Sequence, residues 1–232
     1  MDLILEGLRK AVHLLVTLDP EVLGITLLSL EVSGAATLVS LVLGISAGSL
    51  VALTEFRGKK LLVSVVNTGM GLPPVVVGLF VSILLWRNGP LGFLGMLYTP
   101  TAIVLAQAII ATPIIMGITI GAMQNLPAAL RLQIQALGAT RPQMVWMLMK
   151  EARLPLMAGV MAGFGGVISE IGASIMVGGN IRGYTRVLTT ATVMETGRGN
   201  FDVAIALSVI LLALTLAVNY VLTLVQQRDR PR

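Results

Sequence analysis

Five stretches of the chain each run for about 20 residues or more with almost no charge, the length a helix needs to cross about 30 Å of hydrocarbon. They cover residues 22–53, 62–86, 101–123, 156–177 and 203–225. The first stops at Glu55-Phe-Arg-Gly-Lys-Lys60, and the second is broken in its middle by Gly69, Gly71, Pro73 and Pro74. The third starts after Pro100, with Pro113 inside it; the fourth follows Pro155; the fifth begins near Asp202, a fitting N-cap. Only 12% of the residues are charged, about half the share of an ordinary soluble domain. A soluble enzyme of this size lacks its charged shell at that composition, and a disordered chain would not hold so much apolar mass. The expected fold class is an all-α integral membrane protein, a helical bundle of about five transmembrane helices.

Polar chemistry is scarce as well. There is no cysteine, which removes disulfides, thiolate metal sites and cysteine nucleophiles together, and the single histidine is His13. No catalytic residue and no metal site is expected.

Residues 1–20 open Met-Asp-Leu-Ile-Leu-Glu, without the basic segment of a cleavable signal. Ile4, Leu8, Val12, Leu15 and Val16 recur at helical spacing among Glu6, Arg9, Lys10 and His13, which predicts an amphipathic helix lying in an interface. The transmembrane domain follows over 21–226, then a basic tail over 227–232.

The net charge is +5, and the positions of the basic residues read as topology rather than as a nucleic-acid surface. Ten of the sixteen Lys and Arg fall on one side: Arg57, Lys59, Lys60, Arg131, Arg141, Lys150, Arg153, Arg228, Arg230 and Arg232. That side is expected in the cytoplasm, which leaves the N-terminus outside and the C-terminus inside. No internal repeat is visible, and this disfavours a secondary carrier.

The loop over 124–155 carries more information than a bare connection needs. Its first helix begins near Pro127 and presents Leu130, Ile134 and Leu137 as a stripe. Gly138 suits the left-handed position that ends a helix. Thr140 with Gln143 forms a capping box, Pro142 sits in the next first turn, and that second helix stops before Pro155. An exposed apolar stripe on such a unit calls for a soluble partner.

Gln133-Ile-Gln-Ala-Leu-Gly-Ala-Thr140, then a helix and Leu154-Pro155, resembles the cytoplasmic loop of ABC-importer permeases of the methionine/molybdate type. In that family the loop holds a coupling helix that docks in a cleft of the ATPase. The resemblance implies ATPase coupling through Leu132, Gln135, Ala136, Leu137, Gly138, Ala139 and Thr140, with Leu132 standing where the family has a glutamate. Gly71-Leu-Pro-Pro-Val-Val-Val-Gly78, Gly89-Pro-Leu-Gly92, Tyr98-Thr-Pro-Thr101, Ile168-Ser-Glu-Ile-Gly172 and Val177-Gly-Gly-Asn-Ile-Arg-Gly-Tyr-Thr185 together resemble the tungstate branch of oxyanion permeases. That implies a methionine-permease-like fold in a bacterial or archaeal cytoplasmic membrane and tungstate as cargo, with molybdate and sulfate as competing substrates. It also implies a homodimer, two cytoplasmic ABC ATPase subunits carrying ATP and Mg, an extracytoplasmic oxyanion-binding protein, and no cofactor in this chain. A passive anion channel or secondary carrier would leave the loop without a partner.

Such a cargo needs a polar, water-filled path, because a bare dianion in hydrocarbon costs tens of kcal/mol. The candidate path or gate residues are Pro73, Pro74, Glu170, Gly178, Gly179, Asn180, Arg182 and Arg186. Gly178, Gly179 and Gly183 are expected to leave backbone donors accessible, Asn180 and Thr185 to add side-chain donors, and the arginines to add charge. Gly178 and Gly183 imitate a phosphate loop, but Tyr184 stands where its lysine belongs. Glu31 and Glu170 lie inside spans. A structural role is expected for both, Glu170 pairing with an arginine such as Arg182 or capping local backbone. Gly44, Gly48, Gly159, Gly163 and Gly166 read as close helix contacts, and Gln107, Asn67 and Asn219 as interhelical hydrogen-bonding residues. Met144, Met147 and Met149 are expected to face the ATPase or the bilayer edge.

Overall fold

The computed structural model describes residues 2–228, without the side chains of Asp2, Leu15 and Arg228. Arg230 and Arg232, part of the expected basic tail, lie outside the described residues. All regular structure among the described residues is helical. In chain order the helices are α1 Asp2–Val16, α2 Pro20–Leu53, α3 Lys59–Met70, α4 Pro74–Leu85, α5 Pro100–Gln124, α6 Ala128–Ala136, α7 Arg141–Glu151, α8 Arg153–Ile168, α9 Gly172–Gly178, α10 Leu188–Gly197 and α11 Phe201–Arg228.

Three helices, α2, α5 and α11, are each long and apolar enough to cross a membrane alone. The second and fourth expected spans are instead bent pairs. α3 and α4 meet at 100°, α8 and α9 at 58°, so the count reaches five only when each pair is one span. The cause of the first bend is local: Pro73 and Pro74 lack N–H groups, and Pro73 holds extended backbone at the start of α4. At the second bend the helix ends at Ser169, and Glu170 restarts it by accepting the Ala173 N–H at 2.9 Å.

The long helices begin on sequence signals. The Asp19 carboxylate accepts the Glu21 and Val22 N–H groups, with Pro20 in the first turn of α2. Thr99 and Pro100 open α5 in the same way. At the other end of α2, Lys59 Nζ donates to Ala52 O and Arg131 Nη2 to Leu53 O at 2.9 Å, two cations on a helix C-terminus.

Small residues set the core distances. A methyl group on Gly44 would lie 3.0 Å from Ile115, one on Gly48 2.8 Å from Thr119, one on Gly163 2.9 Å from Ile115 and one on Gly159 3.1 Å from Ile118. These four are the close approaches read from sequence, with α5 as their common partner. Gly166 has ordinary contact only. Ser40, fully buried, donates to Ala108 O across the same interface.

Helix α1 packs antiparallel on the first turns of α11. Lys10 pairs with Asp202, and a methyl on Gly7 would strike Ile205. Asp202 lies within the first turn of α11. The stretch 188–197, between the fourth and fifth expected spans, is helix α10, buried along Leu188, Thr189, Thr190 and Ala191. Its Leu188 N–H donates to Ser29 Oγ and its Thr189 hydroxyl to Glu170 O.

Candidate functional site

Three features could carry function: the helix–Gly–helix unit at one end of the bundle, the paired bends midway, and the glycine-rich turn at the opposite end.

In the first, α6 ends at Gly138, whose φ of +79° is the left-handed conformation expected of it. The capping box is formed, with Thr140 N–H donating to Gln143 Oε1 at 2.8 Å. The apolar stripe divides: Leu137 is exposed as expected, but Leu130 and Ile134 face inward. Ile134 is 3% exposed and packs with Ala52, Met123, Met144 and Leu148 against the chain's own bundle. Leu130 joins the same cluster. Met144 is therefore core, while Met147 is exposed. The apolar side chains left uncovered are Leu132, Leu137, Trp146 and Met147; Leu137 is 83% exposed. Gln133, Gln135, Ala136 and Thr140 are exposed around them and Ala139 is half-buried.

At the bends, α4 and α9 pack side by side through Gly78 against Ala173 and Gly172 against Val75. Gln107 of α5, buried at 2% exposure, donates Nε2 to Val167 O at 3.1 Å and to Ser174 Oγ at 3.4 Å. It ties the ends of both arms around the second bend, the interhelical role expected of it. Asn67 is exposed on α3. Glu170 is 9% exposed, and its carboxylate caps α9; the alternative of a pair with Arg182 is not formed. Pro73 and Pro74 sit in the first bend, with the exposed Val75, Val76 and Leu79 following.

The glycine-rich turn spends its donors on itself. Gly178 ends α9, where a methyl would meet Ile103, and Gly179 (φ +72°) lies under the Tyr98 ring. Gly179 N–H donates to Ile175 O, and the Tyr184, Thr185 and Arg186 N–H groups all converge on Ile181 O. Thr185, 1% exposed, donates to Gly178 O and accepts the Ile181 N–H. Asn180 accepts the Thr190 hydroxyl and reaches Met194 with its amide. The expectation of open donors therefore fails at Gly179, Asn180 and Thr185, through which the turn closes.

The arginines remain. Arg182 grips Glu21 with a two-point fork, Nε to Oε1 at 2.8 Å and Nη2 to Oε2, and this hydrogen-bonded carboxylate holds its guanidinium above the ordinary range. Arg186, its side chain only 11% exposed, reaches Glu21 Oε1 with Nη1 at 3.5 Å. Both line a cavity of about 610 Å³ together with Glu21, Gly24, Glu31 and Tyr184. Glu21 is the residue that sequence reading missed. Its distance from Arg182, 161 positions along the chain, left no local signal.

The family model described as "binding-protein-dependent transport system inner membrane component" matches residues 40–231. The tungstate uptake system permease protein of Peptoclostridium acidaminophilum is 40% identical over 227 residues, 98% of this chain and all of that one. The molybdenum transport system permease protein of Haemophilus influenzae is 31% identical over 172 residues, 71% of this chain and 75% of its own. A crystal structure of an amino acid ABC transporter with histidines superposes with a TM-score of 0.66 at 19% identity, covering 92% of this chain and 96% of that chain. This last likeness bears on the fold.

Proposed function

Because the chain belongs to the family of binding-protein-dependent transport system inner membrane components, we infer that it is the permease subunit of an ATP-driven importer and that its cargo is tungstate. The observation that carries the cargo is the 40% identity to a tungstate uptake permease, which runs nearly end to end in both chains. The bundle itself makes and breaks no covalent bond. ATP and Mg belong to a separate cytoplasmic ATPase, which docks on the helix–Gly–helix unit. The uncovered Leu132, Leu137, Trp146 and Met147 supply the apolar surface for that contact.

One such unit per chain serves one ATPase, so two copies of the chain build the transporter with two ATPases. A separate binding protein delivers the oxyanion at the opposite end. The unit lies on the cytoplasmic side, the glycine-rich turn and the Arg182–Glu21 pair outside, in keeping with the Lys and Arg excess around the unit. ATP binding and release shift the docked units, and the bent pairs α3–α4 and α8–α9 transmit that movement into alternating access.

The test is uptake by the permease reconstituted in liposomes with its ATPase and binding protein. Tungstate should enter in an ATP-dependent manner, and molybdate should compete less well. Preferential uptake of molybdate, favoured by the 31% identity to a molybdenum permease, would replace the cargo and keep the transporter class. Uptake without ATPase would overturn the class itself.

A further inference from the structure

The cavity beside the glycine-rich turn holds one buried donor that its resident acceptor leaves unpartnered. The Glu21 carboxylate has two oxygens, and the Arg182 fork occupies both. Arg186 adds Nη1 to one of them at the long distance of 3.5 Å. Its Nε is buried and has no partner among the described residues. A buried, charged donor left unpaired carries an uncompensated desolvation cost. Glu21 does not remove it: its carboxylate faces the Arg182 fork and touches Arg186 only through Nη1, leaving the Nε side open. A tetrahedral anion with four oxygens can: two oxygens fit the Arg182 fork and a third reaches the unpartnered Nε of Arg186.

We propose that this cavity is an oxyanion entry site and that Glu21 is its placeholder, a built-in carboxylate that the incoming tetrahedral dianion displaces from Arg182 and Arg186. The inference rests on the oxyanion-importer reading above and extends it to a specific place. Charge matches the exchange. With Glu21 seated the trio carries one net positive charge; once its carboxylate swings away, two guanidiniums face a dianion. Room matches it too, since about 610 Å³ holds the anion with part of its water. Arg182 is 73% exposed at the side chain and meets the arriving anion first; Arg186 is the buried anchor. Glu31 lines the same cavity ten residues further along α2, about 15 Å along the helix. Its carboxylate repels the anion from that wall, so the site holds its guest at the mouth. Displacement of Glu21 offsets part of the binding free energy, which keeps the site weak enough to release its guest onward.

Titration of the purified permease–ATPase complex in nanodiscs with sodium tungstate, without binding protein, reads the site directly. Glu21→Gln should bind tungstate about tenfold tighter than wild type or more, because neutral glutamine competes poorly for the arginines. Uptake in liposomes should slow in the same variant. Arg186→Lys keeps the charge and gives up the planar fork, and should weaken binding by about tenfold, with thermal stability checked in parallel. Tungstate binding by Glu21→Gln equal to wild type, or an Arg186→Lys variant with wild-type affinity, would overturn the placeholder. Wild-type uptake separates the two readings. If wild type imports tungstate and both variants bind it unchanged, only the placeholder falls; if wild type imports no oxyanion, the cargo reading falls and the placeholder with it.

Discussion

Gly78 and Ala173 hold the second arms of the two bent pairs, α4 and α9, in near backbone contact: a methyl on Gly78 would sit 2.7 Å from the Ala173 Cα. One turn earlier on α4, Val75 leaves a methyl on Gly172 only 2.5 Å from its Cγ2. α4 follows a 100° bend and α9 a 58° bend, so the two arms meet as a pair set off from the lower halves of their spans. Neither partner at the Gly78 contact is the free end of a flexible side chain, so the pair cannot widen locally without moving a helix.

Gly78→Leu should therefore separate the arms. Overpacking of this kind costs about 1–3 kcal/mol, and transport should fall with stability. Gly121→Ala, where a methyl meets nothing within 4 Å, should unfold at the wild-type temperature and transport normally. Thermal unfolding in detergent and tungstate uptake in liposomes measure both. A stable, active Gly78→Leu variant would show that the arms are not held in contact.

Gln107 gives a separate handle on the second bend, where α8 gives way to α9. Its amide donates to Val167 O and Ser174 Oγ, while its own Oε1 is buried without a partner among the described residues. Gln107→Leu removes the donor and the orphan acceptor together, so the net loss should stay near 1 kcal/mol. Gln107→Glu sets a carboxylate oxygen against the Val167 carbonyl in a dry site and should cost more than the leucine variant. The order of the two melting temperatures is the readout, and the reverse order would mean that the donor is dispensable.

Much of this architecture was legible because it depends on near neighbours. Gly138 follows a periodic run and takes the left-handed turn; Thr140 and Gln143 close their box; Gly44 and Gly48 mark where α2 meets α5. What sequence left open depends on distant partners. The Leu130–Ile134 stripe identifies an apolar face, but its cover is Ala52, Met123 and Leu148 rather than a second protein. Helix α10 holds four Thr and one Val among ten residues, side chains that lose rotamer freedom in a helix. It forms because Ser29 and the Glu170 carbonyl bind its first turn. Likewise Arg182 was free to pair with any carboxylate, and Glu21 rather than Glu170 lies within its reach.

At Gly138 the φ of +79° imposes a backbone requirement independent of packing, since a methyl there meets nothing within 4 Å. Gly138→Val should cost about 1–2 kcal/mol through the left-handed conformation alone. Relief of that strain would shift Leu137 and Thr140 relative to α6. ATPase co-purification and cargo-stimulated ATP hydrolysis should both decline, with the bundle still folded by circular dichroism. Full coupling in this variant would place the docking contact elsewhere on the chain.

Membrane orientation can be read with unusual cleanliness, because the chain has no cysteine and every introduced thiol reports alone. Asn88 lies in the exposed loop after α4, and Gln133 is exposed on α6, at opposite ends of the bundle. With the helix–Gly–helix unit in the cytoplasm, a membrane-impermeant maleimide on intact cells should label Asn88→Cys at once. Gln133→Cys should react only after the cells are opened. Neither position carries a helix cap or a buried contact, so labelling should leave the fold intact. The opposite pattern would invert the bundle, put the Arg182–Glu21 cavity in the cytoplasm, and turn the proposed entry site into an exit.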